Sequence, residues 1–273
     1  MNESPIRADV AVAALPDARA LSTFTSRAES LGYHGLVVAD GLWLPAPFVL
    51  LAVAAGTSET LQLGTNVLAG PIRPAAEVAQ QTDTLDLLSG GRFRLGLGIG
   101  APHVAADGER FGRPYGSGAQ RRAQLVETVR EVRDRFAAVQ RDVPQIMFAG
   151  IGPRLLELAA EHADAVALPV PHELDAEALG AKADELRTIA GDRFDRLELS
   201  SNILIVGDSP LPDWVPAFFQ NVPADSHSRL TGTPSEMAAE LRRRRDRYGI
   251  SRVTVPQWAM ESFAPVLESL AEH

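Results

Sequence analysis

Cysteine is absent from the 273 residues, which excludes disulfides, thiolate metal sites and cysteine nucleophiles together. Lysine is almost absent as well. Lys182 stands alone, so arginine carries nearly all the positive charge, which reflects a GC-rich coding bias. No apolar run approaches the roughly 20 residues of a membrane span. The first residues, Met1-Asn2-Glu3-Ser4-Pro5, lack a basic stretch leading into an apolar core. The formal charge of -9 argues against sequence-independent nucleic-acid binding, which depends on neutralising phosphates with Lys and Arg. No Ser-His-Asp order and no cluster of His and carboxylates points to a hydrolase or a metal site. These absences predict a cytoplasmic protein with no membrane, nucleic-acid or metal partner.

What remains is an ordinary globular composition, 45% hydrophobic and 22% charged, on a chain long enough for one large core. Apolar runs of strand length fall at about 8–15, 35–39, 61–68, 93–99, 145–149, 164–168, 197–206 and 252–256. Amphipathic segments lie between them: Leu21 to Leu31, Ala75 to Leu88, Ala119 to Phe136, Leu155 to His162 and Met237 to Tyr248. Thr233-Pro234-Ser235-Glu236 is a capping box with proline at the first helical position, and Gly249 ends that helix. Strands alternating with helices imply a parallel sheet wrapped by helices, and eight units in this length favour a closed (β/α)8 TIM barrel over an open doubly wound sheet. Without linker, repeat or low-complexity stretch, the barrel is assigned to 1–273 as one domain, with an elaborated loop from Val206 to Leu230. Arg242 to Arg245 share a helix with Glu236, Glu240 and Asp246, which makes a solvated face.

One stretch carries more information than the rest. From Arg73 to Ser89 a helix leads through Gly90-Gly91-Arg92 into a strand with Phe93, Leu95, Leu97 and Ile99 on one face and Arg94, Gly96, Gly98 and Gly100 on the other. A nearly bare inner face leaves room for something flat to approach the backbone. The run Thr84-Leu85-Asp86-Leu87-Leu88-Ser89-Gly90-Gly91-Arg92, followed by Gly96-x-Gly98-x-Gly100, resembles the luciferase-like family of flavin and deazaflavin oxidoreductases. The resemblance extends from Arg27–Gly35 to Leu230–Pro234. It implies a bacterial-luciferase-like barrel, a homodimer, and a cofactor ring lying at Gly96 and Gly98.

In such a barrel the site lies at the carboxyl ends of the strands. Asp40, Gly41 and Trp43 follow the second strand and place a carboxylate and an aromatic at the mouth, although Asp40 could equally cap a turn. Where the family has Asp-His this chain has Gly41, and where deazaflavin sugar-phosphate dehydrogenases have glutamate it has Ala101. Both departures remove proton carriers, and His103 is the remaining candidate beside Asp40. Thr65, Asn66 and Val67 follow the third strand, where the resemblance implies a cis bond between Asn66 and Val67; ordinary strand-end polars are the plainer reading. Gly150-Ile151-Gly152-Pro153-Arg154 joins a strand to a helix. Its glycines, its helix N-terminus and its arginine suit an anion, and they are also sound turn chemistry. Trp258, after the eighth strand, either packs or lines a substrate pocket with Trp43.

The resemblance implies a cofactor that moves hydride while the protein fixes the ring and its phosphate. Deazaflavin F420 is favoured, on overall similarity to the short F420-dependent subgroup, with a small C=C or C=O/alcohol substrate. The alternatives are an FMN-dependent monooxygenase and a catalytically silent ligand-binding barrel. The family's longer excursion between Phe136 and Pro144 is missing, which implies a more open pocket.

Overall fold

A computed structural model of the chain describes residues 5–13, 15, 17–208, 211, 212, 215 and 221–272, without the side chains of Pro71 and His103. The described elements alternate as the periodicity requires. They are β1 (Arg7–Val12), α1 (Ala18–Ser30), β2 (Gly35–Val38), α2 (Pro47–Ala55), β3 (Gln62–Thr65), β4 (Leu68–Ala69), α3 (Ala75–Ser89), β5 (Phe93–Gly98), α4 (Ala105–Arg110) and α5 (Gly118–Ala138). There follow β6 (Gln145–Ala149), α6 (Pro153–His162), β7 (Ala165–Ala167), α7 (Ala176–Ala190), β8 (Glu198–Asn202), β9 (Ile205–Val206), β10 (Arg229–Leu230), α8 (Pro234–Tyr248), β11 (Ile250–Pro256) and α9 (Met260–Ala271). The loop Val206–Leu230 lies partly outside the described residues.

Every pairing in the main sheet is parallel, in the order β3-β2-β1-β11-β8-β7-β6-β5, and β3 pairs back onto β5 to close it. β4 continues the stave of β3 beyond Asn66-Val67 and also pairs with β5. The result is a closed eight-stave barrel with helices outside.

Helix ends are set by local chemistry. Asp17 accepts from the Ala20 N–H at 2.8 Å to start α1, and Ser117 with Gln120 forms a capping box for α5. Thr233 and Glu236 form the capping box of α8, and Gly249 at φ 81° ends it. The run Ser89-Gly90-Gly91-Arg92 has a structural explanation. Gly90 takes the left-handed conformation (φ 64°) that terminates α3, and Arg92 donates to carbonyls of Ser89, Leu61, Ala55 and Ser58, tying two helix ends to the barrel.

Between staves and helices lies the apolar core. Leu36, Leu63, Leu95, Phe148 and Leu199 are fully buried there, each worth about 1.5–3 kcal/mol relative to exposure. The inside of the barrel is different at its lower end. Arg94 and Arg252 are buried beside Asp9 and Glu198, with Arg94 Nη1 3.2 Å and Nη2 2.6 Å from the two carboxylates, and Arg252 Nη1 2.5 Å and Nε 2.8 Å from them. Gln145 and Gln62 fill remaining donor positions at 2.5 and 2.7 Å. Burial acts to raise the Glu198 carboxyl, and the two guanidiniums overcome it, holding it below its ordinary range. This charged plug closes the floor and confines any ligand to the opposite end.

Candidate active site

The carboxyl ends of the staves open into a cavity of about 620 Å³, within the range of small-molecule sites. Its lining comes from the β2, β3–β4, β5, β6, β7 and β8 ends: Asp40 and Trp43, Asn66 to Ala69, Gly98 to Ala101, Ala149 to Leu155, Pro169 and Asn202, with Arg122 from α5.

At the start of the lining, Asp40 is buried, its side chain 1% exposed. Its oxygens accept from Arg73 Nε and Nη2 at 2.8 and 2.7 Å and from the Ala69 N–H at 3.1 Å. The hydrogen bonds to Asp40 raise the Arg73 guanidinium further above its already high value. The carboxylate therefore braces β4 against the loop before α3. Gly41 does not line the cavity. A Cβ built there would lie 2.9 Å from Trp43 Nε1, so the indole occupies the space that a side chain at 41 would enter. Trp43 is 71% exposed and lines the rim.

The bond between Asn66 and Val67 is cis. Asn66 donates its N–H to the Val38 carbonyl at 2.8 Å, and its Nδ2 lies 3.5 Å from Thr254 Oγ1 across the barrel. Thr65 turns away from the cavity. Its hydroxyl donates to the Gly96 carbonyl at 2.8 Å and accepts the Gly96 N–H at 2.9 Å, so it joins two staves and is not in position to touch a cofactor.

The glycine wall needs correction too. A Cβ at Gly96 would collide with the Thr65 carbonyl and the Met147 side chain, and one at Gly98 would meet Val67 Cγ2 at 2.8 Å. The space that the bare residues leave is filled by the protein itself. Asn66, Val67, Gly98 and Gly100 line the cavity, whereas Gly96 does not.

Gly150 to Arg154 all line the far end of the cavity. Gly152 is the N-cap of α6 and Pro153 its first residue, and a Cβ at Gly152 would meet nothing within 4 Å. The first turn of a helix leaves N–H groups without intrahelical acceptors and carries partial positive charge. Arg154 beside it and Arg122 make no ion pair or hydrogen bond among the described residues. With Asp40 neutralised by Arg73, the cavity of an acidic protein is net positive.

One expected residue falls elsewhere and another has an undescribed side chain. Trp258 is absent from the lining; its indole N–H donates to the Leu204 carbonyl at 3.2 Å and packs it on the turn before β9. The side chain of His103 lies outside the described residues, although its backbone forms a short turn with Pro102 and the cavity-lining Val104. Conversely, Arg122 and Asn202 had no place in the reading of the sequence. Asn202 was hidden inside an apolar run drawn as 197–206, where Ser200-Ser201-Asn202 marks the polar stave end. Arg122 is signalled only by the Ser117 cap that starts its helix at the barrel mouth.

The luciferase-like monooxygenase family model matches residues 4–247. The chain belongs to the luciferase-like family. Among curated relatives, the F420-dependent glucose-6-phosphate dehydrogenase of Beutenbergia cavernae is 29% identical over 185 residues, covering 64% of this chain and 52% of that one. The chain spans about half the length of the curated relatives it matches. Among solved structures, the coenzyme F420-dependent tetrahydromethanopterin reductase of Methanopyrus kandleri superposes with a TM-score of 0.74 at 13% identity, covering 99% of both chains. Long-chain alkane monooxygenase (LadA) gives 0.77 at 14% identity, covering 100% of this chain and 91% of that one. At such identities the structures speak for the fold alone.

Proposed function

We propose that this chain is an oxidoreductase that moves a hydride between deazaflavin F420 and a small organic substrate bearing C=C or C=O/alcohol functionality. The observation that carries the reading is the polarity of one continuous cavity. An apolar seat at Asn66–Val67 adjoins, at the other end, a helix N-terminus flanked by two unpaired guanidiniums. That arrangement suits a flat ring with an anionic tail. When bound, such a ring supplies two-electron chemistry, and the protein's part is to hold and orient it. Val67 and Leu68 would support the ring, Gly150 to Arg154 with Arg122 would hold the phosphate, and Asp40 would keep Arg73 and β4 in place behind it. His103 is the proton carrier of this reading. The F420-dependent relatives favour F420 over FMN.

A monooxygenase using FMN is the second reading, supported by the match to the luciferase-like monooxygenase family model. Titrating the purified protein with F420 and with FMN, followed by cofactor fluorescence, separates the readings. Saturable F420 binding that exceeds FMN binding is the expected result. Tight FMN binding alone would replace it with the second, and binding of neither would leave a ligand-binding barrel without redox chemistry.

The chain is further proposed to act in the cytoplasm as a homodimer. Helix α2 is apolar on every side, and Val49, Leu87 and Leu88 on α2 and α3 are 66%, 68% and 61% exposed, a surface suited to a second copy. Sedimentation equilibrium tests it. Among the described residues, no helix is long and apolar enough to cross a membrane.

A further inference from the structure

The geometry points to Asn202 as the residue that holds the substrate, by donating a hydrogen bond from its carboxamide to a carbonyl oxygen. The inference rests on the oxidoreductase reading of the cavity and names the oxygen-bearing class that the site takes.

Asn202 is the last residue of β8, and its stave alternates inward. Glu198 joins the floor ion pairs and the Ser200 hydroxyl reaches Met147 inside the barrel, so Asn202 is the next to face in, and it lines the cavity. Two other uncharged polar side chains at the stave ends have partners. The Asn66 amide is turned toward Thr254, and the Thr65 hydroxyl is held by Gly96. Asn202 is exposed to the cavity, and its side chain has no hydrogen-bond partner among the described residues. An amide left open in the cavity wall costs little while water reaches it. Once a ligand displaces that water, the amide demands a partner or loses the hydrogen bond outright. It therefore selects for a ligand oxygen at that spot.

The sign of the cavity decides which oxygen. In the free protein Arg122 and Arg154 leave the enclosure net positive, which favours an electron-rich oxygen that accepts over a hydroxyl that needs an acceptor. The Asn202 Nδ2–H groups then meet a carbonyl, and because the amide carries no titratable proton it recognises the oxygen without exchanging one. A carbonyl so held is also polarised toward hydride addition.

The test is a binding comparison that involves no turnover. Cyclohexanone and its shape-matched hydrocarbon methylenecyclohexane are titrated into wild type, Asn202→Leu and Asn202→Asp, both free and loaded with oxidised F420, by ligand-observed NMR. Cyclohexanone should bind both variants about three- to tenfold more weakly than wild type, the loss expected for one hydrogen bond. Methylenecyclohexane and F420 should bind all three alike. Equal cyclohexanone affinity in wild type and Asn202→Leu overturns the assignment, as does tighter binding by Asn202→Asp, which would mark a hydroxyl-binding site. Failure of wild type to bind F420 removes the oxidoreductase reading instead, and the titrations of free protein still decide whether Asn202 holds the ketone.

Discussion

Both ends of this barrel carry arginines, buried at the floor and reaching solvent at the mouth, and they use them in opposite ways. At the floor, Arg94 and Arg252 face Asp9 and Glu198, Arg7 adds a further contact to Glu198 at 3.0 Å from the rim, and two glutamines accept from the remaining donors. At the mouth, Arg122 and Arg154 face no carboxylate among the described residues, because the one acid in the lining, Asp40, is clamped by Arg73. Matched charge holds the protein together. Unmatched charge around a cavity waits for a ligand to complete it.

The largest effect should come from unbalancing the floor. Arg252→Met removes the buried partner of Asp9 Oδ1 and Glu198 Oε1 and should cost about 3–5 kcal/mol of stability in denaturant unfolding. At the mouth the pattern should invert. Arg122→Ala and Arg154→Ala should leave stability within about 0.5 kcal/mol while each weakens F420 binding roughly tenfold, an effect that salt should erode in wild type. A floor variant that kept its stability, or a mouth variant that lost it, would break the contrast.

Gly152→Leu sharpens the mouth further. Nothing stands within 4 Å of the new Cβ, so the variant should fold with an unchanged melting temperature, while isothermal titration should show cofactor affinity largely lost. Retained affinity would remove the phosphate role of this loop. Asp40→Asn weakens a clamp intermediate between the two ends. About 1–3 kcal/mol of stability should go with it, read by thermal unfolding.

The smallest effect concerns a buried imidazole. Burial lowers the His227 imidazole below its ordinary value, against the opposing hydrogen bonds to the Val170 and Pro171 carbonyls. Above about pH 6.5, the unperturbed value, the ring is neutral folded or unfolded and contributes no pH dependence. As pH falls below that, the unfolded chain binds the proton first, so stability declines down to the lower folded value. His227→Gln should flatten that slope in melting curves between pH 7 and 5.

The eight strand positions were legible because each stave is an apolar run of the right length between helices with readable caps. The loop from Gly150 to Arg154 was legible for a similar reason, since strand, glycines, proline and helix are consecutive in the chain. Trp258 was misplaced because its rotamer depends on the Leu204 carbonyl, more than fifty residues away in sequence. Asp40 was found, but its engagement with Arg73 was not, for the same reason of separation.

By itself the sequence determined the alternation, hence the closed parallel barrel, and which end could hold a site, because strand period and helix capping are local properties. Only the tertiary structure decided what fills the space beside each small residue. Gly96 and Gly98 look bare along the strand, yet the Thr65 carbonyl, Met147 and Val67 arrive from neighbouring staves and claim that space. Vacancy and charge balance are sums over several staves, and one strand's residues carry only one part of each.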